Sequence, residues 1–366
     1  ISWIGPTRDL GSDVPRLVDA SDALVTPGLV DAHTHAAFMG SRHAEYAVRM
    51  AGGDYEAIAK AGGGILSTQR AIVAASEQEI GAALSARLRR MAALGVTTVE
   101  VKSGYGLTHD EELKQLRAIH AVSRASDLPR VVPTFLGLHA LPKGHDREAF
   151  VRRVIEETLP AVAAAGLARF VDAYVDRNAF QVDEAEALGL RAKALGLGVR
   201  LHVGQFADVG GAELAARLGA ASADHLEQVG DSGARAMAEA GTVAMLLPVA
   251  SFTLGQAPPP IARLRDAGVA IAVASDANPG TAPTESLPLA LALAVRLYGL
   301  GIDEAVHAVT CVAARSLGRP ELGRLRVGGP ADLVVWDLPH EAALAQPWGT
   351  AKTRLVLRDG VALHRA

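Results

Sequence analysis

The sequence predicts a fold of the α/β class, a closed (β/α)8 TIM-like barrel with a small β-domain built from both flanks of the chain. Three observations lead there. Short apolar runs alternate with longer helix-like stretches, the pattern of parallel strands joined by crossover helices. Eight such runs occur, seven of them preceded by a helix-sized segment, and eight is the strand count of a closed barrel. No Gly-x-Gly-x-x-Gly follows the first run, which speaks against the competing doubly wound sheet.

The strand candidates are residues 24–30, 96–101, 131–136, 170–175, 199–203, 220–224, 243–247 and 269–274. Helical patterns rich in Ala, Leu, Glu and Arg fill the intervals at 77–93, 110–123, 147–165, 183–195 and 212–218. Gly95, Gly166, Gly198, Gly241 and Gly268 lie just before the next run, as helix C-caps prefer. The flanks read differently. Short strands at 333–336, 354–357 and 361–364 are separated by turns, and Arg358-Asp359-Gly360 has hairpin chemistry. Residues 27–320 are therefore assigned to the barrel, and 1–26 with 321–366 to one composite β-domain.

Composition narrows the function. The 366 residues are 49% hydrophobic and 21% charged, a globular balance rather than a disordered one. A formal net charge of −4 offers no basic field for nucleic acid or an anionic membrane, so neither is expected as a partner. Mean hydropathy is +0.20, yet no apolar run approaches the roughly 18 residues that span a bilayer. One cysteine, Cys311, excludes an internal disulfide and suits a cytoplasmic protein; its helical apolar setting reads as a packed core thiol. No basic-then-apolar leader precedes the first strand, and the absent initial Met is expected to trim the β-domain rather than the barrel.

The sharpest chemical signal is Asp31-Ala32-His33-Thr34-His35, directly after the first run. Histidines at i and i+2 of an extended segment face the same way. At the C-terminal end of a barrel strand that face is the interior, where two imidazoles can share a metal ion. His202, His225 and Asp276 end the fifth, sixth and eighth runs. Such a group of imidazoles with one carboxylate suits one Zn or Fe ion rather than Mg or Ca, which take more oxygens. Gly62-Gly63-Gly64 lacks the following Gly-Lys-Ser/Thr of a phosphate-binding loop.

This layout resembles the amidohydrolase superfamily, metal-dependent hydrolases on a (β/α)8 barrel flanked by a β-sandwich. The resemblance implies that His33, His35, His202 and Asp276 bind the metal and that His225 faces the substrate. Binuclear members add a carboxylated Lys on strand four. Residues 170–175 contain none, which favours a single ion, and Lys102 on strand two reads as a cation either at the surface or just behind the ligands.

A narrower resemblance covers nearly the whole chain. Residues 26–35, 61–68, 97–107, 134–137, 222–227 and 275–280 are similar to the imidazolonepropionase family, with Lys102-Ser103-Gly104-Tyr105-Gly106 and the 62–65 loop its most particular stretches. It implies hydrolysis of the cyclic amide of 4-imidazolone-5-propanoate to N-formimidoyl-L-glutamate, a step of histidine degradation, and a homodimer. Arg42, Tyr105, His139, Asn278, Gly280 and Thr281 match the family's substrate contacts, with His145 as an alternative to His139. Asp276 and His225 are both candidates for the general base.

Two departures stand out. Gly204 replaces a usual Asp, and Gln205 stands where deaminases of the superfamily carry a proton-shuttling Glu. A neutral amide cannot shuttle a proton, so Gln205 is expected to orient substrate or water and favours ring-amide hydrolysis over deamination. The rival readings are an amidohydrolase acting on another small heterocycle and a metal-free barrel used for binding.

Overall fold

The computed structural model describes residues 1–10, 18–52, 63–346, 348 and 352–366. After β1 (Val25–Pro27) come eight parallel strands that follow one another around the barrel in chain order. They are β2 (Leu29–Asp31), β3 (Val96–Lys102), β4 (Arg130–Leu138), β5 (Phe170–Val175), β6 (Gly198–Val203), β7 (Ser222–His225), β8 (Val243–Leu246) and β9 (Ile271–Val273). The ring closes just beyond β9 and β2. There the Ser275 amide donates to Asp31 Oδ1 at 3.0 Å, the Asp276 amide to the His33 carbonyl at 3.1 Å, and the His35 amide to the Ala277 carbonyl at 3.0 Å.

Most of the helices bury a stripe of side chains on this ring. In the helix Glu77–Ala93, Ile80, Leu84, Leu88 and Met91 repeat at helical spacing and are fully buried, each worth about 1.5–3 kcal/mol in transfer from water. Its start is fixed by a capping box, the Glu79 amide donating to Ser76 Oγ at 3.2 Å and the Ser76 amide to Glu79 Oε2 at 2.8 Å.

Four expectations change in detail. The single run 24–30 is two strands in two sheets, split at Gly28, where a β-carbon would lie 2.1 Å from Thr97 Oγ1. The helix expected at 147–165 shifts register through a π-helical segment, Val154–Thr158, because Pro160 offers no N–H to the carbonyl four residues back. Gly198 opens β6 and is not a cap; Gly196, with φ of 81°, turns the chain instead. Cys311 is half-buried at the start of the helix Cys311–Ser316, whose buried face is Ala313, Ala314 and Ser316.

Inside the barrel the alternating strand residues form layers. Val30, Val132, Phe170, Val243, Met245 and Ala272 make an apolar floor. Above it lies a fully buried charged layer of Glu100, Lys102, Asp172, Arg200 and Asp224. Lys102 is therefore an interior cation, not a surface one.

The second sheet is antiparallel, in the order β1-β10-β11-β12, with β10 (Leu333–Trp336), β11 (Thr353–Arg358) and β12 (Val361–Arg365). Asp359 and Gly360 both have positive φ, 50° and 80°, as the tight β11–β12 turn requires. The sheet rests on the barrel through Trp336, whose ring lies where a β-carbon of Gly95 would be, 2.6 Å away. Among the described residues no helix is long and apolar enough to cross a membrane.

Candidate metal centre

His33 and His35 emerge just past β2, His202 lies near the end of β6, and Asp276 follows β9. Ring closure between the segments after β2 and β9 brings Asp276 onto the two histidines. Asp276 Oδ1 is 3.4 Å from His33 Nε2 and 3.5 Å from His35 Nε2, and His35 Nε2 is 3.4 Å from His202 Nε2. Ligand atoms of His33, His35 and His202 all lie within 4.8 Å of one another.

Carboxylates of the buried layer hold two of these rings from behind. His33 Nδ1 is 2.6 Å from Asp224 Oδ2, and His202 Nδ1 is 3.1 Å from Asp172 Oδ1. With each Nδ1–H donated backwards, each Nε2 presents its lone pair to the centre. Lys102 Nζ donates to Glu100 Oε1 at 2.9 Å and Asp172 Oδ2 at 2.8 Å, while Arg200 Nη2 lies 3.5 Å from Asp224 Oδ2. Arg200 also donates to the backbone carbonyls of Ala32 at 2.7 Å and Ser316 at 3.0 Å.

The donor set fits a divalent cation. His33 Nε2 and Asp276 Oδ1 are fully buried and have no hydrogen-bond partner, an arrangement that costs free energy unless a positive charge serves both. Burial, with Lys102 and the neighbouring imidazoles, keeps His33 well below its usual pKa; burial, His139 and His202 do the same to His35. Both are thus neutral donors. Burial pushes the Asp276 carboxyl up to about 7, against the pull of nearby His225. Beneath them, burial disfavours charge on Asp172, but His202 and Lys102 outweigh it and hold its carboxyl far below the usual range. Three carboxylates face two cations in that layer, leaving a negative excess under the cluster.

Two of the expected site positions carry unusual backbone. His225 and Asp276 have φ of 83° and 55°, a region that costs non-glycine residues about 1–3 kcal/mol. Burial alone would lower the His225 pKa, but Glu227, Asp276 and Asp224 together raise it. The ring is 5.6 Å from that of His202 and 6.1 Å from that of His33.

Around this centre stand most of the expected substrate residues. Tyr105 and His139 are buried beside His35, their rings 5.7 and 5.4 Å from it. His139 Nδ1 donates to the Gly104 carbonyl at 2.7 Å, and burial lowers its pKa to about 4, so a neutral Nε2 remains free to accept. His145 instead lines a separate cavity with His109 and Arg152. Arg42 and Gly280 border a cleft of about 260 Å3. Glu45 Oε2 takes both Nε and Nη2 of Arg42 at 2.8 Å, and Glu45 Oε1 accepts the Gly64 amide at 2.9 Å. Of the 61–68 stretch, Ala61 and Gly62 lie outside the described residues.

Asn278 is occupied by its own loop. Its Oδ1 accepts the amides of Gly280 and Thr281 at 2.8 Å, and its Nδ2 reaches the Asp276 carbonyl at 2.7 Å and Thr281 Oγ1 at 3.0 Å. Gln205 Oε1 accepts the Tyr174 hydroxyl at 2.9 Å, so its amide oxygen is engaged within the barrel. Gly204 has φ of 65° and its carbonyl accepts the Gln228 amide at 2.8 Å, so the position serves a turn that glycine adopts readily.

Glu100, Asp172, Arg200 and Asp224 escaped sequence reasoning as site residues. Their signal was a charged residue every second position in otherwise apolar strands, as in Glu100-Val101-Lys102 and Arg200-Leu201-His202.

Known proteins similar to this chain are numerous. The profile of the amidohydrolase family matches residues 24–363. The imidazolonepropionase of a Polaromonas species is 47% identical over 367 aligned positions, covering 98% of this chain and 86% of the relative. That of Myxococcus xanthus is 46% identical, covering 98% and 87%. Among solved structures, the 5-methylcytosine deaminase from Klebsiella pneumoniae liganded with 5-fluorocytosine superposes with a TM-score of 0.77 at 17% identity, covering 100% of this chain and 92% of that one. Likeness at that identity speaks to the fold alone.

Proposed function

Because the chain belongs to the amidohydrolase family, we propose that it is a hydrolase of the cyclic amide in 4-imidazolone-5-propanoate, giving N-formimidoyl-L-glutamate in histidine degradation. Relatives named imidazolonepropionase, 44–49% identical over most of their length, support this substrate. The observation that carries it most directly is the His33–His35–His202–Asp276 cluster, with its unpartnered inward atoms, in a barrel whose loops also carry Arg42.

His33, His35, His202 and Asp276 would hold one divalent ion, Zn or Fe. When bound, such an ion acts as a Lewis acid and makes water a competent nucleophile near neutral pH. The chain's own residues do the rest. Arg42 binds the propionate carboxylate through its guanidinium, which Glu45 holds in place. His225 donates to the ring carbonyl oxygen and stabilises the charge that develops there. Asp276, and in the alternative His225, accepts a proton from water as its oxygen bonds to the carbonyl carbon. The same group returns that proton to the ring nitrogen as the C–N bond breaks. Tyr105 and His139 wall the pocket, and the Gln205 amide donates without taking part in proton transfer. Asn278 shapes the loop that presents Gly280 and Thr281.

The small-molecule reaction needs no nucleic-acid or membrane partner, and the family resemblance supports a homodimer working in the cytoplasm. Residues 27–320 act as the hydrolase barrel, with 1–26 and 321–366 as one composite domain beside it.

The test is turnover of imidazolone propionate generated in place from urocanate by a urocanase. Formimidoyl-glutamate would be followed by mass spectrometry with and without a chelator. Product that vanishes on chelation and returns with Zn or Fe is the expected result; a metal-loaded enzyme that makes none refutes the substrate.

A further inference from the structure

Behind His225 runs a buried line of side chains that the reaction above does not use. His225 Nδ1 lies 3.8 Å from Glu227 Oε2. The other oxygen, Glu227 Oε1, accepts the Ser251 hydroxyl at 2.5 Å, and Ser251 Oγ is 2.6 Å from the Tyr298 hydroxyl. Three separate elements supply the line: the turn after β7, the helix Pro248–Leu254, and the last residue of the helix Leu287–Tyr298. None of the four residues is more than 6% exposed.

The proton inventory fixes its direction. Ser251 has one proton and gives it to the carboxylate, so the Tyr298 phenol donates to Ser251. Glu227 is thus anchored through one oxygen, while the other has no partner. His225 Nδ1 has none either, and the two orphaned atoms face each other. An approach of about 1 Å makes this a hydrogen bond. The arrangement parallels Asp224 behind His33 and Asp172 behind His202, but here the ring served is not one assigned to the metal.

We propose that Glu227 is a positioning residue for His225: its carboxylate accepts the Nδ1–H, fixes the ring's orientation and aims Nε2 at the substrate, with Ser251 and Tyr298 holding Glu227 in place. This rests on the reading of His225 as the group that polarises the ring carbonyl.

Metal-loaded enzyme carrying Glu227→Gln, Tyr298→Phe, His225→Asn or the double change His225→Asn with Glu227→Gln tests it. Glu227→Gln is expected to lower kcat about 10- to 100-fold, with KM, metal per chain and Tm unchanged, and Tyr298→Phe to lower kcat less. In the His225→Asn background, Glu227→Gln should cost nothing further, because its effect passes through that ring. A full additional loss there, or wild-type kcat in Glu227→Gln beside a crippled His225→Asn, overturns the proposal alone. Wild-type kcat in His225→Asn removes the role of His225 and the proposal with it. Should Glu227→Gln fail to fold, Tyr298→Phe and Ser251→Ala, each alone and combined with His225→Asn, carry the same comparison.

Discussion

At the barrel mouth, Gly280 and Arg42 divide one small volume between them. A β-carbon on Gly280 would stand 2.2 Å from Arg42 Nη1. The guanidinium is the movable partner, so Gly280→Ala should push it off its position rather than unfold the loop. The expected signature is a higher KM with metal content unchanged, as for Arg42→Ala. Loss of a charge-assisted contact of about 1.5–3 kcal/mol raises KM roughly 10- to 160-fold in the latter. Metal analysis beside Michaelis kinetics checks both, and an emptied metal site in either variant would contradict the assignment of Arg42 to substrate. Arg42 itself could be singled out in the sequence because it follows His35 by seven positions in a family pattern. The anchoring of its partner Glu45 by the Gly64 amide could not, since that contact joins positions 19 residues apart.

At the scale of the strand, the local signals and the order of the strands were readable, and the meeting of buried side chains inside the barrel was not. A short apolar run and a His-x-His are written within ten residues, and apart from the split run 24–30 the strands keep their places with shifts of a residue or two at the ends. What Lys102 does, by contrast, is decided by Asp172, 70 residues later, and what holds His33 is Asp224, 191 residues later. Barrel closure alone makes those neighbours. The charged layer therefore invites a direct test. Asp224→Asn keeps the shape but weakens the acceptor behind His33, and should lower metal affinity about 10- to 100-fold. Competition with a chromogenic chelator measures this without reference to catalysis. Unchanged affinity would mean that Asp224 balances Arg200 and Lys102 without orienting the histidine.

For the whole molecule, the link between the two sheets is the Trp336 ring in the hollow at Gly95, with Trp336 Nε1 donating to Thr26 Oγ1 at 2.8 Å. Arg130 adds a bridge, reaching Asp332 and Asp359 at 2.8 Å each. Trp336→Ala opens a cavity there and should cost ~3–5 kcal/mol, a fall in Tm of roughly 4–7 °C for a chain of this length. A melt within a degree or two of the parent would show the sheet to be a passenger on the barrel. The pairing of Val25 with Val335 also has a consequence in time. A ribosome adding about 5–20 residues per second releases the second of these strands some 15–60 s after the first. Throughout that interval β1 offers an unsatisfied edge to whatever lies near it, and until about its last 3–12 s the barrel is also missing strands. A cell making this protein thus meets its most adhesive form during synthesis, and a chaperone that shields the early segment should raise the soluble yield more than one acting after release.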